Sequence, residues 1–528
     1  STTVRRLIGS PDQGDPAARG PAFAAVMRRN PVLRSGFRAD DLPQPAAVTA
    51  ESPLCEPEVI DLSALTAAQA QDRIEEITAA DRLRTFDIAE PPLARFTVVR
   101  TAGIDRLIFS YHFLLLDGWS REQLLRELFA EYAAAKHVAP SVNLPEPVAH
   151  FTDYLRWLAG QDRDESGRQW ARALADLPAP TLLVPDAVGT APTLALRLDF
   201  FLTEEQTARL IQAARDCGVT LNALISTALA LVLAYETGAE DVVFGSTVAG
   251  RPTDIDGIDT VIGLFLNTVP TRVRLRPQTT IADAMRAVQT DRLRLMDHEY
   301  LGLGDIQRAA GIQGALFDSL YVLQNFLDDD TFTDMEAEYG IVGHDSVDAS
   351  HYPLTWVASP GRRLWMKLEY RPDVVDRAHA QRLLDRLRQV LIHLEPENTL
   401  AAADLVLPQE SGALSARGDA TRHPLPATTV VDLLAERSEA ASDLTALVCG
   451  AESIDYRQLD ARLNRMAGLL RARGIGPDTT VALAIPRSIT AVAALFAVLR
   501  SGAAYRPLDL DHPDDRRAAT LAPAARPC

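Results

Sequence analysis

Apolar and polar positions alternate along this chain with two periods. Short runs such as Leu107 to Tyr111 and Leu194 to Leu202 are β-branched, aromatic or alternating, and predict strands. Further strands are predicted over Thr3 to Ile8, Val59 to Leu62, Ala94 to Val99, Asp241 to Ser246 and Trp365 to Tyr370. Other stretches carry apolar residues every three or four positions. They predict helices over Ala67 to Arg84, Arg121 to Ala135, Phe151 to Trp157, Leu221 to Thr237 and Ala378 to Leu394. Start signals agree with this reading. Asp15 precedes Pro16, Ser120 precedes Arg121, and Thr203 precedes Glu204, each a capping residue where a helix should begin.

The pattern breaks twice. Leu177 to Thr193 is interrupted by Pro, Asp and Gly and reads as a crossing between two lobes. Gly412 to Pro426 reads as an interdomain linker. The expected organisation is a first lobe over 1–178, a second over 179–408, a linker over 409–428 and the start of another domain over 429–528. A length of 528 residues allows three or four such bodies at about 150 residues each. The mixture of periods makes the fold class α/β (α+β).

Composition removes some classes of function. The net charge of -18 argues against a nucleic-acid partner, whose phosphates would be repelled. Cys55, Cys217, Cys449 and Cys528 stand far apart, with neither metal-ligand nor CxxC spacing, so a reduced, cytoplasmic chain without a metal site is expected. The longest apolar run, Ala223 to Ala234, is broken by Ser226 and Thr227 and is short for a bilayer. It reads as a buried core helix, so no membrane partner is expected, and no signal peptide opens the sequence. Both ends, Ser1 and Pro527-Cys528, read as cut from something longer.

The chemistry concentrates after the Leu107 strand. His112 stands at the strand's end, four apolar residues follow, and Asp117-Gly118 makes a turn signal. The spacing resembles the HHxxxDG signature of nonribosomal peptide synthetase condensation domains, and the likeness runs on through Trp119 and Ser120. Phe113 stands where the family has its second histidine. Pro31 to Phe37 resembles the family's second core motif, with Asn30 in place of His, while the first core motif is expected upstream of this chain. Phe151 to Trp157 resembles the fourth motif, and its helical spacing favours a packing role. Gly245 to Pro252 resembles a loop of the family, and Ile262 to Arg272 its fifth motif. Looser matches cover the sixth motif, at Glu299 to Arg308, and the seventh, at Phe317 to Asn325. Near the C-terminus, Ile454 to Leu459 and Leu499 to Asp509 resemble the first two motifs of adenylation domains, with Gln458 in place of Glu. The phosphate-cradling loop of an adenylation site is not in the chain.

The resemblance implies two chloramphenicol-acetyltransferase-like lobes forming a V-shaped condensation domain, then a partial adenylation domain. It implies amide bond formation between a donor thioester and an aminoacyl acceptor. Each would be presented on phosphopantetheine by a partner, an upstream donor and a downstream acceptor carrier protein. No carrier signature appears here, so no covalently bound cofactor is expected. The rest of an adenylation domain is the other implied partner.

Site residues carry over as follows. Phe113 replaces the proton-handling group. His112 faces away from Phe113, because neighbours on a strand point to opposite sides. The family reading makes it structural, and the alternative swings it into the substrate tunnel that the resemblance implies. Asp117 needs a cation if buried, and the resemblance places Arg272 in that role, bridging the lobes. Gly118 either exposes a backbone N–H to substrate or simply makes the turn. Asn267 carries polar contacts inside an apolar strand. His298, His344 and His351 have no metal-ligand spacing. Two functions of different class follow: an amide synthase impaired by Phe113, or a catalytically silent module that docks carrier or partner proteins. A free-standing CoA-dependent acyltransferase is disfavoured by the adenylation motifs.

Overall fold

Two mixed sheets organise the first four-fifths of the chain. The computed structural model describes residues 3–521 apart from 11–15, 40–41, 43–44, 53–55, 136–147, 188, 192, 325–342, 348, 351 and 421–427. Asp15, Cys55, Asn325, His351 and Cys528 of the sequence reading lie outside the described residues. The chain divides into two compact units, Ser1–Ala413 and Leu414–Cys528.

The first sheet has five strands in the order Gly343–Val347, Thr3–Ser10, Asp105–His112, Ala94–Arg100 and Glu58–Asp61. Alternation along its central strands puts Phe96, Phe109 and Tyr111 on one face, where they stack at 4.6 and 4.9 Å. Phe23, from the helix Pro16–Arg29, closes on Phe96 at 4.4 Å. Leu124, Leu125 and Leu128 of the helix Gly118–Ala135 join the same cluster. Each such buried side chain contributes about 1.5–3 kcal/mol, so the helix that follows His112 is held firmly onto the sheet.

The second sheet has six strands in the order Asn267–Arg274, Asp241–Val248, Ser319–Leu323, Leu354–Ser359, Trp365–Tyr370 and Leu196–Phe201. Its core face packs the helices Leu221–Thr237, Ile281–Leu295 and Arg377–Ile392. Every residue from Ala223 to Leu233 is buried, which is why that helix is apolar all round. Among the described residues no single helix is long and apolar enough to cross a membrane.

Two features interleave the lobes, and neither was visible in the periodicity. The strand Gly343–Val347 comes from the second half of the chain yet pairs antiparallel with Thr3–Ser10 in the first sheet. Ile262, on the loop before Asn267–Arg274, is buried in the core beneath the first sheet.

Part of the expected linker has regular structure. Pro408–Ala420 is helical. Arg386 is buried and donates to Glu410 on this helix, to Glu236 and to the carbonyl of Leu405. That network fixes the helix's first turn to the second lobe and outweighs the weak helix propensity of Gly412 and Gly418.

In the second unit the helix Val430–Ala440 is capped by Thr429 and Asp432. A hairpin of Thr445–Cys449 and Glu452–Asp455 leads into the helix Tyr456–Ala472. Asp455 caps that helix, and Gln458 completes the reciprocal capping box. Its side-chain oxygen accepts the N–H of Asp455 as a Glu oxygen would, which explains why Gln serves here. Thr480–Leu483 and Ala504–Pro507 then pair in parallel across the helix Ile489–Ser501, a fitting arrangement for the opening of an α/β domain.

Candidate active site at the seam between the lobes

The strand Asp105–His112 ends inside a tight connection. The His112 N–H donates to the Leu93 carbonyl at 2.8 Å, and the His112 carbonyl accepts from Leu115 N–H at 3.0 Å. The four apolar residues that follow divide. Leu115 and Leu116 are buried, whereas Phe113 and Leu114 are each 38% exposed. His112 itself is buried, so it lies on the opposite side of the chain from Phe113, as the strand alternation implies. Its Nδ1 accepts the Leu114 N–H at 3.2 Å, which leaves the proton of the neutral ring on Nε2. Phe86 meets the imidazole edge-on at 6.5 Å. Burial lowers the pKa of His112, since the charged ring would lose its hydration. Buried and neutral, with Nδ1 occupied by the backbone, this ring has only its Nε2 N–H left to donate.

Asp117, not Ser120, caps the next helix. Asp117 Oδ1 accepts the Ser120 N–H at 2.7 Å, and the Asp117 carbonyl accepts from Arg121 N–H at 3.0 Å. The expected cap therefore shifts three residues, and Gly118 becomes the first residue of Gly118–Ala135 rather than a free turn. The shift releases the Ser120 hydroxyl for longer-range work. Its Oγ donates to the Gly263 carbonyl at 2.7 Å and accepts the Gly263 N–H at 3.0 Å.

Asp117 crosses the seam as well. Its N–H donates to the Gly263 carbonyl at 3.2 Å. Its Oδ2 accepts the Phe265 N–H at 3.0 Å, a contact between residues 148 apart in sequence. The cation that balances it is Arg251, 3.7 Å away, with both side chains almost fully buried. Arg251 also donates to the Ser120 hydroxyl at 2.8 Å and to the carbonyls of Val261, at 2.9 Å, and Ile258. Its guanidinium covers the Phe265 ring at 4.0 Å. On the rim, Trp119 Nε1 donates to the Asp259 carbonyl at 2.9 Å.

Two glycines make this seam possible. Gly250 has φ +61, and a Cβ there would stand 1.9 Å from the Phe265 carbonyl oxygen. At Gly263 a Cβ would come within 2.4 Å of the Phe151 ring. Only residues without side chains allow the loop to lie this close to its neighbours.

A family model described as Condensation domain matches residues 15–414. The chain belongs to the condensation-domain family. A second model, AMP-binding enzyme, matches residues 434–525, so the start of an adenylation-type domain follows the condensation domain. Curated relatives are components of nonribosomal peptide synthetases. A linear gramicidin synthase component of Brevibacillus parabrevis is 34% identical over 511 residues, 95% of this chain and 10% of the relative. Surfactin synthase subunit 3 of Bacillus subtilis (strain 168) is 30% identical over 515 residues, 95% of this chain and 40% of the relative. The chain thus spans between a tenth and two-fifths of the length of these relatives. Among solved structures, the first condensation domain of the calcium-dependent antibiotic synthetase superposes with a TM-score of 0.61 at 18% identity, covering 77% of this chain and 94% of that one. The nonribosomal peptide synthetase FmoA3 gives 0.69 at 22% identity, covering 98% of this chain and 55% of that one. Both likenesses show the mixed α/β fold.

Within this condensation domain the assignment of Arg272 to Asp117 is overturned. Arg272 grips Asp241 with two hydrogen bonds of 2.9 and 2.7 Å and donates to the carbonyls of Ala173 and Ala175. Arg272 stands opposite Val243 and diagonal to Asp241 on the same sheet, so its nearest carboxylate is on the adjoining strand. Asn267 makes polar contacts within the second lobe rather than between the lobes. Its Nδ2 donates to the carbonyls of Glu299 and Leu301 at 2.7 and 2.8 Å, tying the fifth motif to the sixth. Phe151, Tyr154 and Trp157 form an aromatic cluster with Phe265, which agrees with packing as the role of the fourth motif. Asn30, in the second motif's histidine position, donates to Glu127 at 2.7 Å and so joins the first helix to Gly118–Ala135.

The residues missed by sequence reasoning are Arg251, the hydroxyl of Ser120 and the backbone of Gly263 and Phe265. No local signal paired Arg251 with Asp117. Arg251 lies between glycine and proline in a loop that also carries Asp254, Asp256 and Asp259, so the sequence offers it nearer carboxylates than Asp117.

Proposed function

We propose that the condensation domain joins a donor acyl thioester to an aminoacyl acceptor, both delivered on the phosphopantetheine arms of carrier proteins, and does so chiefly by positioning. The acceptor amine attacks the thioester carbonyl carbon. A C–N bond forms, the C–S bond breaks, and the proton lost by the amine ends on the departing thiol. The observation that carries this reading is the seam of Asp117, Ser120, Arg251 and Gly263. Its buried charges and hydrogen bonds hold the two lobes in one register. Such rigidity is what a reaction governed by alignment requires, and alignment alone is able to lower a barrier by about 7–11 kcal/mol.

The histidine missing at position 113 costs proton handling. A positioned general base contributes about 10²–10⁴-fold, and the Phe113 ring has no nitrogen. His112 is no substitute, because it is buried and its Nδ1 is engaged. An α-amino group titrates at about 7.7–8.0, so a fraction of the acceptor is already neutral near pH 7 and reacts without a base. The protein is therefore a slow condensation enzyme whose rate climbs with pH through the amine's own titration. The names of the relatives, gramicidin and surfactin synthases, point to an antibiotic-type peptide as the product of the longer protein. Its location would be the cytoplasm.

A second reading has its own observation. An exposed carbocyclic ring at 113 and an engaged His112 also suit a silent module that only docks carrier proteins. Loaded donor and acceptor carriers separate the two. The unmodified chain should yield amide slowly, and Phe113→His should raise the rate by roughly 10²-fold while adding a limb near the histidine pKa. No amide from either protein, with carrier binding intact, would leave only the docking role.

A further inference from the structure

A cavity of about 210 Å³ is walled by the helix Arg163–Ala173, the strand Asn267–Arg274 and the helix Ile281–Leu295. None of its lining residues belongs to the His112 motif or to the Asp117 seam. Five guanidiniums line it: Arg172, Arg272, Arg274, Arg292 and Arg294. Against them stand two lining carboxylates, Asp291 and Glu299, with Asp241 behind the wall. This concentration of positive charge occurs in a chain whose net charge is -18.

The arginines are not equally committed. Arg272 is consumed by Asp241 and two carbonyls. Arg294 reaches Asp291 at 3.3 Å within its own helix. Arg292 stands 3.7 Å from Glu299, and Arg274 3.9 Å from Asp241, separations beyond hydrogen bonding. Arg172 makes no ion pair among the described residues. Three guanidinium forks therefore have open N–H donors around one small space. Burial raises the pKa of Glu299, opposed by Arg292, so the carboxyl beside the cavity holds its charge weakly.

We propose that this cavity binds a phosphate dianion, either inorganic phosphate or the end group of a diphosphate or phosphomonoester. Guanidinium forks match phosphate oxygens in pairs, and three of them satisfy a doubly charged tetrahedral ion better than a singly charged, two-oxygen carboxylate. The volume is below the about 300–1,000 Å³ of drug-sized sites, which fits an ion of this size. Compensation of helix ends is the competing explanation. Arg172 lies in the last turn of one helix, and Arg292 and Arg294 in the last turn of the other. A helix end carries only about half a charge, and Arg274 belongs to a strand. The cations thus exceed what the helix ends need.

Calorimetric titration of the full chain at fixed ionic strength tests this, with sodium phosphate, diphosphate and acetate as probes. Phosphate or diphosphate should bind at least about tenfold more tightly than acetate. Arg292→Gln should weaken that binding by at least about tenfold, and so should Arg172→Gln, an exposed position where folding is not at stake. Acetate binding as well as phosphate would overturn the proposal. So would unchanged phosphate affinity in both variants with only thermal stability lowered, the outcome expected of helix-end compensation.

Discussion

Replacing Arg251 by Ala is the sharpest test of the seam. The change removes the cation 3.7 Å from Asp117, a carboxylate that is 2% exposed. Removing one partner of a buried pair costs about 3–5 kcal/mol. Asp117 keeps the N–H groups of Ser120 and Phe265, which pulls the cost toward the lower end. The carbonyls of Ile258 and Val261 lose their donor, at about 1–3 kcal/mol each if they stay dry. Phe265 loses a cation over its ring, worth about 0.5–2 kcal/mol. These contributions overlap, and a total of about 4 kcal/mol corresponds to roughly 10³-fold in an opening equilibrium. Hydrogen exchange reads it directly, because the amides of Ser120, Gly263 and Phe265 all donate to the Asp117 carboxylate or the Ser120 hydroxyl. Exchange over 117–121 and 258–266 should quicken by up to that factor in Arg251→Ala. Arg272→Ala should leave those segments protected and loosen 173–176 and 241–243 instead. Unchanged protection of the seam in Arg251→Ala, or equal loosening in both variants, would refute the reasoning.

Two further expectations follow from the same geometry. The folded-state pKa of His112 lies below its ordinary 6.5, so the unfolded chain takes up the proton first. The contribution of His112 to stability is then complete above about pH 6.5 and is lost as pH falls toward the lowered value. Urea midpoints measured between about pH 7.5 and 5 should slope less in His112→Asn, and an unchanged slope would count against burial of the neutral ring. Gly263→Ala should cost about 1–3 kcal/mol by overpacking, because its Cβ meets the Phe151 ring at 2.4 Å. Phe151→Leu in the same chain should recover part of the lost melting temperature, and no recovery would discard the steric account.

Much of the fold was legible because its signals are local. Leu221–Thr237 and Trp365–Tyr370 appear where apolar spacing predicts them. The Thr203 cap with Gln206, and the Asp455 cap with Gln458, need only a few neighbouring residues. A cap already shows where local reasoning stops. Ser120 and Asp117 are both good capping residues, and choosing between them requires knowing that the Ser120 hydroxyl is claimed by Gly263, 143 residues away. The helix over Pro408–Ala420 was hidden for a similar reason, since its anchor is Arg386 rather than anything in its own sequence.

By itself the sequence determined the order of strands and helices, the condensation-domain motifs and the absence of a ring nitrogen at position 113. Those follow from side-chain identity and short-range periodicity. Only the tertiary structure decided that Asp117 meets Arg251, that Arg272 belongs to Asp241, and that Gly343–Val347 completes the first sheet. A buried carboxylate requires a cation, but nothing in the requirement names which one. Arg251 and Arg272 satisfy it equally in chemistry, and the choice falls to whichever the packed sheets and loops bring within reach.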